Sequence, residues 1–138
     1  MTRVFVDSDV ILDFLLRRAP FAKSAAAVFS LGERGKISLL TSTLAFMNVH
    51  YIAGVATDQA KARSLSLRLR SLLELLPVTP EHVDAALASD SKDVEDYIQY
   101  DVAHGSHVDY LITRNTEDYP REPSFIMTPT IFLDTIPA

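Results

Sequence analysis

Five short apolar segments alternate with longer stretches of helical periodicity, and this alternation limits the possible folds of the 138-residue chain more than any other feature. The apolar segments, each bounded by polar or turn-forming residues, lie near residues 3–6, 37–40, 75–78, 110–113 and 124–127. The helical stretches span residues 21–34, 43–54, 58–74, 80–89 and 94–105. Strands that alternate with helices predict a mostly parallel sheet covered on both faces. We therefore expect an α/β fold of about five strands, formed by residues 1–138 as one domain.

Composition excludes several classes of protein. A net charge of −5 argues against binding a polyanion by bulk attraction, so contact with nucleic acid would depend on local basic residues or bound cations. Cysteine is absent, which excludes disulfides, thiolate metal sites and cysteine nucleophiles. Because the sequence contains no signal-peptide pattern and no apolar run of about 20 residues, we expect a cytoplasmic protein that does not cross a membrane.

The first strand-like segment leads directly into Asp7, where a helix is predicted to begin. In open α/β sheets, ligands bind outside the carboxyl ends of the strands, so a carboxylate here is a candidate metal ligand. A helix N-cap is the structural alternative, because Asp and Ser side chains accept hydrogen bonds from free backbone amides. Ser8 could cap the same helix, and Asp9 fits a first-turn acid that complements the helix dipole. We favour a functional role for Asp7 and leave the role of Asp9 open.

A second acidic cluster opens a later predicted helix at residues 93–99 (DVEDYIQ). Asp93 as N-cap would place Asp96 at the third helical position, where an acid can answer a capping residue. That structural interpretation competes with a functional one. If the helix packs beside the first strand, Asp96 can face Asp7 across the crevice.

A third polar cluster follows the fourth strand-like segment and brings Thr113, Asn115 and Asp118 to the same edge of the sheet, although the polarity of a loop alone explains such residues. Three carboxylates that converge from remote parts of the chain would repel one another unless a cation lay between them. Hard oxygen donors suit Mg²⁺ or Mn²⁺, which typically serve phosphate chemistry. Such an ion lowers the pKa of a bound water and offsets charge on a scissile phosphate.

Taken together, these segments resemble the PIN domain family, the nuclease fold of the VapC-type toxins in bacterial toxin–antitoxin pairs. The resemblance spans nearly the whole chain and rests on the order and spacing of motifs that are each weak alone. These motifs are residues 6–13 (VDSDVILD), 93–99 (DVEDYIQ), 113–115 (TRN) with Asp118-Tyr119, and 126–129 (IMTP) followed by 131–133 (IFL).

The resemblance implies a three-layer α/β/α domain that cleaves RNA with Mg²⁺ or Mn²⁺ held by three or four acids. By resemblance, Asp7 would be the first-strand ligand, Asp96 the helix ligand and Asp118 the acid after the fourth strand. Thr113 and Asn115 would shape the site. The resemblance also implies a small antitoxin partner and a homodimer. The resulting hypothesis is metal-assisted hydrolysis of RNA phosphodiester bonds.

One position departs from the family pattern. The family usually carries a glutamate on the helix after the second strand, and Asn48 stands where that acid would be. An amide oxygen can still ligate an ion or orient water, but it is neutral, so metal affinity should fall. Glu95 is the neighbouring acid that could compensate, although adjacent helical residues point about 100° apart.

Phosphate contact would need cations near the acidic crevice. Arg114 lies in a motif turn, and Arg17 and Arg18 follow the first helix, so these three are the candidates for binding the RNA backbone. The basic residues of stretch 58–74 fit a solvated helix face better.

Two other functions stay open from the sequence. Residues 7–10 (DSDV) also match the opening of the haloacid-dehalogenase-type phosphatases, in which the first Asp is a nucleophile. Thr41 could serve such a site, but the later lysine is poorly placed and the chain is short for that fold. The second alternative, motivated by Asn48, is a PIN-like module that binds RNA or a protein with little or no cleavage.

Overall fold

The computed structural model describes residues 1–119 and 125–136, which form a five-stranded sheet flanked by helices. The strands are β1 (Arg3–Val6), β2 (Ser38–Ser42), β3 (Glu74–Leu76), β4 (Tyr110–Ile112) and β5 (Ile126–Met127). The helices are α1 (Ser8–Leu15), α2 (Ala22–Glu33), α3 (Thr43–Ala56), α4 (Gln59–Leu72), α5 (Pro80–Ala88), α6 (Val94–Gly105) and α7 (Pro129–Thr135), with a 3-10 turn at Thr116–Asp118.

All pairings in the described sheet are parallel, and the strand order is β3-β2-β1-β4-β5. The first strand therefore lies at the centre, between β2 and β4. Val4 pairs with Leu39 on one side and with Tyr110 on the other. Because every strand runs in the same direction, the carboxyl ends of β1, β2 and β4 meet at one edge, which is where ligands bind in such sheets.

Side chains on the central strand alternate between two buried cores. Val4 and Val6 join the core formed with residues of α1, α2, α3, α4 and α7, whereas Phe5 joins the core formed with α5 and α6. This alternation follows from the two-residue period of a strand, and burial on both faces explains why residues 4–6 of β1 are all apolar. The three-layer α/β/α architecture and the predicted parallel sheet of about five strands are confirmed.

Several predicted boundaries moved. The helix predicted to stop at Gly54 continues to Ala56, and the strand predicted at 75–78 occupies Glu74–Leu76. Gly54 has an ordinary helical conformation, since Gly35 is the only described glycine with a positive φ. The predicted strand 124–127 is described from residue 125 onward, and residue 124 lies outside the described ranges.

Helix α1 starts at Ser8 because the Asp7 carboxylate accepts a hydrogen bond from the Ser8 amide at 2.7 Å. Helix α3 starts one residue after Ser42, whose Oγ accepts from the Ala45 amide at 2.9 Å. Both caps lie at strand ends, so each strand passes into its helix without a loop. No helix in the described part of the chain is long and apolar enough to cross a membrane.

Candidate functional site

Asp7 is held at the centre of the sheet edge by donors from three parts of the chain. One carboxylate oxygen caps α1, and the other accepts from Thr113 Oγ1 at 3.0 Å and from the Tyr119 hydroxyl at 2.6 Å. The residue is only 6% exposed. Hydrogen bonds from three donors fix the orientation of the carboxylate. Asp7 is therefore both the N-cap and a pre-oriented acidic group.

Tyr119 keeps its proton in this arrangement. Burial, followed by the negative charge of Asp7, raises the pKa of its phenol well above the usual range. A phenol that stays protonated acts as a donor to Asp7 and does not serve as a base.

Asp9 lies next to Asp7 and contacts the segment after β4. Its Oδ2 atom is 3.3 Å from Thr113 Oγ1 and accepts from the Arg114 amide at 3.1 Å. Its other oxygen, Oδ1, is buried and has no hydrogen-bond partner within the described residues. Burial, followed by the charge of Asp7, raises the pKa of Asp9 to about 6. Asp9 is thus part of the acidic site, beyond the first-turn role that its position suggests.

Asp96 and Asp118, predicted from separate motifs, line one cavity of about 240 Å³ together with Tyr119. Asp96 is in the first turn of α6, where its amide donates to Asp93 Oδ1 at 3.0 Å. The predicted cap at Asp93 is therefore confirmed. Capping uses the Asp96 backbone and leaves its carboxylate free to face the cavity.

Mutual repulsion marks this group of carboxylates. Burial is the largest cause that raises the pKa of Asp96 to about 7, and the charges of Asp7, Asp93, Asp118 and Glu95 add to it. No Lys or Arg within the described residues forms an ion pair with any of these acids. The electrostatic potential at this edge is therefore negative and favours the binding of a cation.

Asn48 occupies the position at which the family resemblance predicts an acid, and its side chain contacts helix α6. It lies on α3, and its Nδ2 donates to Glu95 Oε1 on α6 at 2.6 Å. Burial raises the pKa of Glu95, the Asn48 hydrogen bond lowers it, and the charges of Asp93 and Asp7 raise it further. Position 48 is thus coupled directly to an acid of the second motif.

Two of the predicted phosphate-binding cations are engaged elsewhere. Asp13, which is 1% exposed, lies 3.0 Å from Arg18 Nε and 2.8 Å from Arg114 Nε. The guanidinium of Arg114 also lies over the ring of Phe21, 4.1 Å from its centre. Arg17 instead lines a cavity of about 370 Å³ between α1 and α4. Lys61 and Arg68 on α4 line the same cavity.

The structure brings together most of the residues that the motifs single out. Thr113 contacts Asp7 directly. Asn115 is exposed at the rim, and its backbone amide donates to Thr113 Oγ1 at 3.3 Å. Sequence reasoning missed Tyr119 as a partner of Asp7 and the ion pairs of Asp13. The only sequence signal for this role of Tyr119 was its position as an aromatic residue directly after Asp118.

The donor chemistry of this edge fits Mg²⁺ or Mn²⁺, which prefer hard carboxylate oxygens. The unpartnered Oδ1 of Asp9 and the repulsion around Asp96 both match the presence of a cation. Within residues 1–119 and 125–136, no three His, Cys, Asp or Glu side chains are arranged to hold one ion. Side-chain rotation that brings the carboxylates closer is therefore needed before they can share a metal.

The fold and the acidic edge define a class: an α/β/α domain whose carboxylates meet at the carboxyl ends of parallel strands. A family model of the PIN domain matches residues 3–117. This match covers more than half of the chain, so the chain belongs to the PIN domain family. Membership favours the nuclease fold over the phosphatase alternative, which rests on residues 7–10 and Thr41.

One ribonuclease and two solved structures are similar to this chain over most of their length. Ribonuclease VapC1 of Aquifex aeolicus (strain VF5) is 26% identical over 131 residues, which cover 91% of this chain and 90% of the relative. A toxin–antitoxin complex from Klebsiella pneumoniae contains a chain of the same fold, with a TM-score of 0.67 and 20% identity over 91% of this chain and 97% of that one. VapC20 of Mycobacterium tuberculosis, a sarcin-ricin loop cleaving toxin, gives a TM-score of 0.63 and 13% identity over 78% of this chain and 86% of that one.

Proposed function

We propose that this protein is an endoribonuclease that hydrolyses RNA phosphodiester bonds with Mg²⁺ or Mn²⁺ held by Asp7, Asp96 and Asp118. The observation that carries this proposal is the placement of a pre-oriented Asp7 at the edge where Asp96 and Asp118 share a cavity. Membership of the PIN domain family and similarity to a ribonuclease support it.

Each side chain has a role that follows from its contacts. Thr113 and Tyr119 hold the Asp7 carboxylate in one orientation. Asp96 and Asp118 supply the other carboxylates on the cavity side. When bound, the metal ion would lower the pKa of an attacking water and offset negative charge on the phosphate.

Substrate contacts belong to the rim of the site. Asn115 is exposed there, and we propose that it and Thr113 shape the position of the RNA. Contact between Arg114 and a phosphate stays a prediction, and its guanidinium would have to share its charge with Asp13. The cavity between α1 and α4 is lined by three cations, Arg17, Lys61 and Arg68. We propose that this surface attracts the RNA backbone.

Cleavage of labelled single-stranded RNA, with Mn²⁺ or Mg²⁺ added to metal-free protein, tests the proposal. We expect wild-type activity that a chelator abolishes, and a loss of at least about 100-fold in Asp7→Asn and Asp96→Asn if each carboxylate stabilises the transition state. Glu33→Gln, on the exposed end of α2, removes the same charge away from the site and should retain full activity.

Activity that persists in both Asp variants, or in excess chelator, would overturn the proposed site. Binding of Mn²⁺ should be followed separately by calorimetry, since an inactive variant that still binds metal has lost RNA binding or the chemical step rather than the metal.

The same resemblance leads us to propose that the protein is the toxin of a toxin–antitoxin pair, with a small antitoxin as its partner. The similarity to a chain from a toxin–antitoxin complex supports this assignment. Induction of the protein alone in a bacterial host should arrest growth, and Asp7→Asn should relieve the arrest. Normal growth at equal expression of the wild type would contradict it.

A PIN-like binding module with little cleavage is the second candidate, and the neutral Asn48 is the observation that favours it. An Asn48→Glu variant separates the two possibilities. A large gain of metal-dependent cleavage would show that the wild-type site lacks a needed acid. If the wild type cleaves RNA and Asn48→Glu cleaves it no faster, position 48 needs no acid and the enzyme assignment is supported.

A further inference from the structure

Given the proposed nuclease function, on which this inference rests, we propose that Glu95 supplies the fourth carboxylate of the metal site and that Asn48 positions it. The acid usually carried by the helix after the second strand would thus be carried by α6. The juxtaposition that carries this assignment is the 2.6 Å hydrogen bond from Asn48 Nδ2 to Glu95 Oε1, which joins residues 47 positions apart.

The location of the two residues places Glu95 beside the site. Asn48 lies on α3, which begins directly at the end of β2, and β2 pairs with β1, the strand that ends at Asp7. Glu95 precedes Asp96 in the first turn of α6. Since adjacent helical residues diverge by about 100°, Asp96 faces the cavity that it shares with Asp118 while Glu95 turns toward α3.

Charge explains why an amide, rather than an acid, suits position 48. A carboxylate at Asn48 would lie at hydrogen-bond distance from the Glu95 carboxylate, and two such groups repel unless one holds a proton. An amide instead donates to the carboxylate and fixes one of its oxygens. No ion pair in the described part of the chain neutralises Glu95, so its charge is available to a bound cation.

If the carboxylate lies on α6 and the amide on α3, substitutions at Glu95 and Asn48 should change metal affinity in a predictable way. Titration of metal-free protein with Mn²⁺ by calorimetry should show a loss of about tenfold or more in Glu95→Gln, the range found when groups that ligate or orient a metal are removed. The double variant Asn48→Glu with Glu95→Gln returns a carboxylate to α3 opposite an amide on α6, and it should recover most of the lost affinity. Glu33→Gln is the matched control and should bind Mn²⁺ like the wild type.

Asn48→Leu tests the positioning role. It removes the donor without adding charge, and we expect weaker Mn²⁺ binding with a secondary structure and cooperative unfolding like those of the wild type. If the contact were only a tether between α3 and α6, both Glu95→Gln and Asn48→Leu would lower the stability of metal-free protein and leave Mn²⁺ affinity unchanged. That result would overturn the inference.

The outcomes also separate this inference from the proposed function. If wild type binds Mn²⁺ and cleaves RNA while Glu95→Gln does both equally well, the role of Glu95 is wrong and the nuclease stands. If wild type neither binds Mn²⁺ nor cleaves RNA, the proposed function fails and the role of Glu95 fails with it.

Discussion

Substitution of the buried Asp13 is expected to reduce folding stability. Its carboxylate is 1% exposed and lies between the guanidinium groups of Arg18 and Arg114. Asp13→Asn leaves two cations facing a neutral amide. Because both arginines are partly exposed, we expect a loss of about 2 kcal/mol in the free energy of unfolding, below the cost of breaking a fully buried pair.

Urea denaturation measures this change. The matched control is Glu74→Gln, since Glu74 pairs with Arg3 at 3.8 Å through exposed side chains. Its loss should be below about 0.5 kcal/mol. Equal effects of the two substitutions would show that the Asp13 ion pairs do not stabilise the fold.

Asp7 combines a helix cap with two long-range hydrogen bonds in one carboxylate. One oxygen caps α1 through the Ser8 amide, and the other accepts from Thr113 and Tyr119. A strand that ends in an acid at a helix start correctly predicted the cap, and the role of Asp7 as a metal ligand stays a prediction. The partners of the second oxygen come from residues 106 and 112 positions away, so no local pattern could identify them.

At the level of elements, α1 anchors the turn that follows β4. Asp9 and Asp13 are four residues apart and therefore share a helix face. Asp9 accepts from the Arg114 amide, while Asp13 lies against the Arg114 side chain. The motif turn is thus fixed to α1 by both its backbone and its side chain. Arg114 therefore has a structural role in this turn that does not depend on contact with RNA.

Helix α2 makes a close approach to β2 that only glycine permits. A Cβ atom on Gly32 would overlap Cδ1 and Cγ of Leu39, and Leu39 is buried in the core with 4% exposure. We expect Gly32→Ala to lower the free energy of unfolding by about 1–3 kcal/mol, as overpacking does.

Gly105, the last residue of α6, provides the comparison for Gly32. An added Cβ there meets nothing within 4 Å. Gly105→Ala should leave stability unchanged or raise it by up to about 0.5 kcal/mol, because alanine has the higher helix propensity. Thermal unfolding of both variants checks the contrast, and a Gly32→Ala protein as stable as Gly105→Ala would contradict the close approach.

For the whole molecule, the acidic edge predicts that metal-free protein becomes less stable as pH rises. The folded state raises the pKa of Asp96 from 3.8 to about 7 and that of Asp9 from 3.8 to about 6. Between pH 4 and 7 the folded state therefore holds more protons at these groups than the unfolded state. By linkage, their contribution to the free energy of unfolding falls as pH increases through this range.

Urea denaturation in the presence of a chelator, from pH 4.5 to 7.5, measures the effect. Asp96→Asn removes one of the two groups, so its stability relative to wild type should increase with pH. A difference between the two proteins that is independent of pH would show that the pKa of Asp96 is not raised in the folded state.

The outer surface of α3 carries an apolar stripe that fits the expected homodimer. Met47, Tyr51 and Val55 recur every four residues and are 58%, 72% and 73% exposed, and Leu67 on α4 is 68% exposed. Contiguous exposed apolar patches are a feature of protein interaction sites. We expect light scattering to give twice the 15.3 kDa chain mass and Tyr51→Glu to shift the protein toward monomer. A monomeric wild type would show that the homodimer prediction is wrong.

The sequence by itself determined the alternating strands and helices, the strand-to-acid junction at Asp7 and the cap at Asp93, because each depends on neighbouring residues and their periodicity. Tertiary structure alone decided which side chains meet. The strand order β3-β2-β1-β4-β5 brings Tyr119 to Asp7, and the packing of the helices brings Asn48 to Glu95 and Arg114 to Asp13. The distances between these side chains depend on how remote elements pack around two cores, and they cannot be predicted from spacing along the chain.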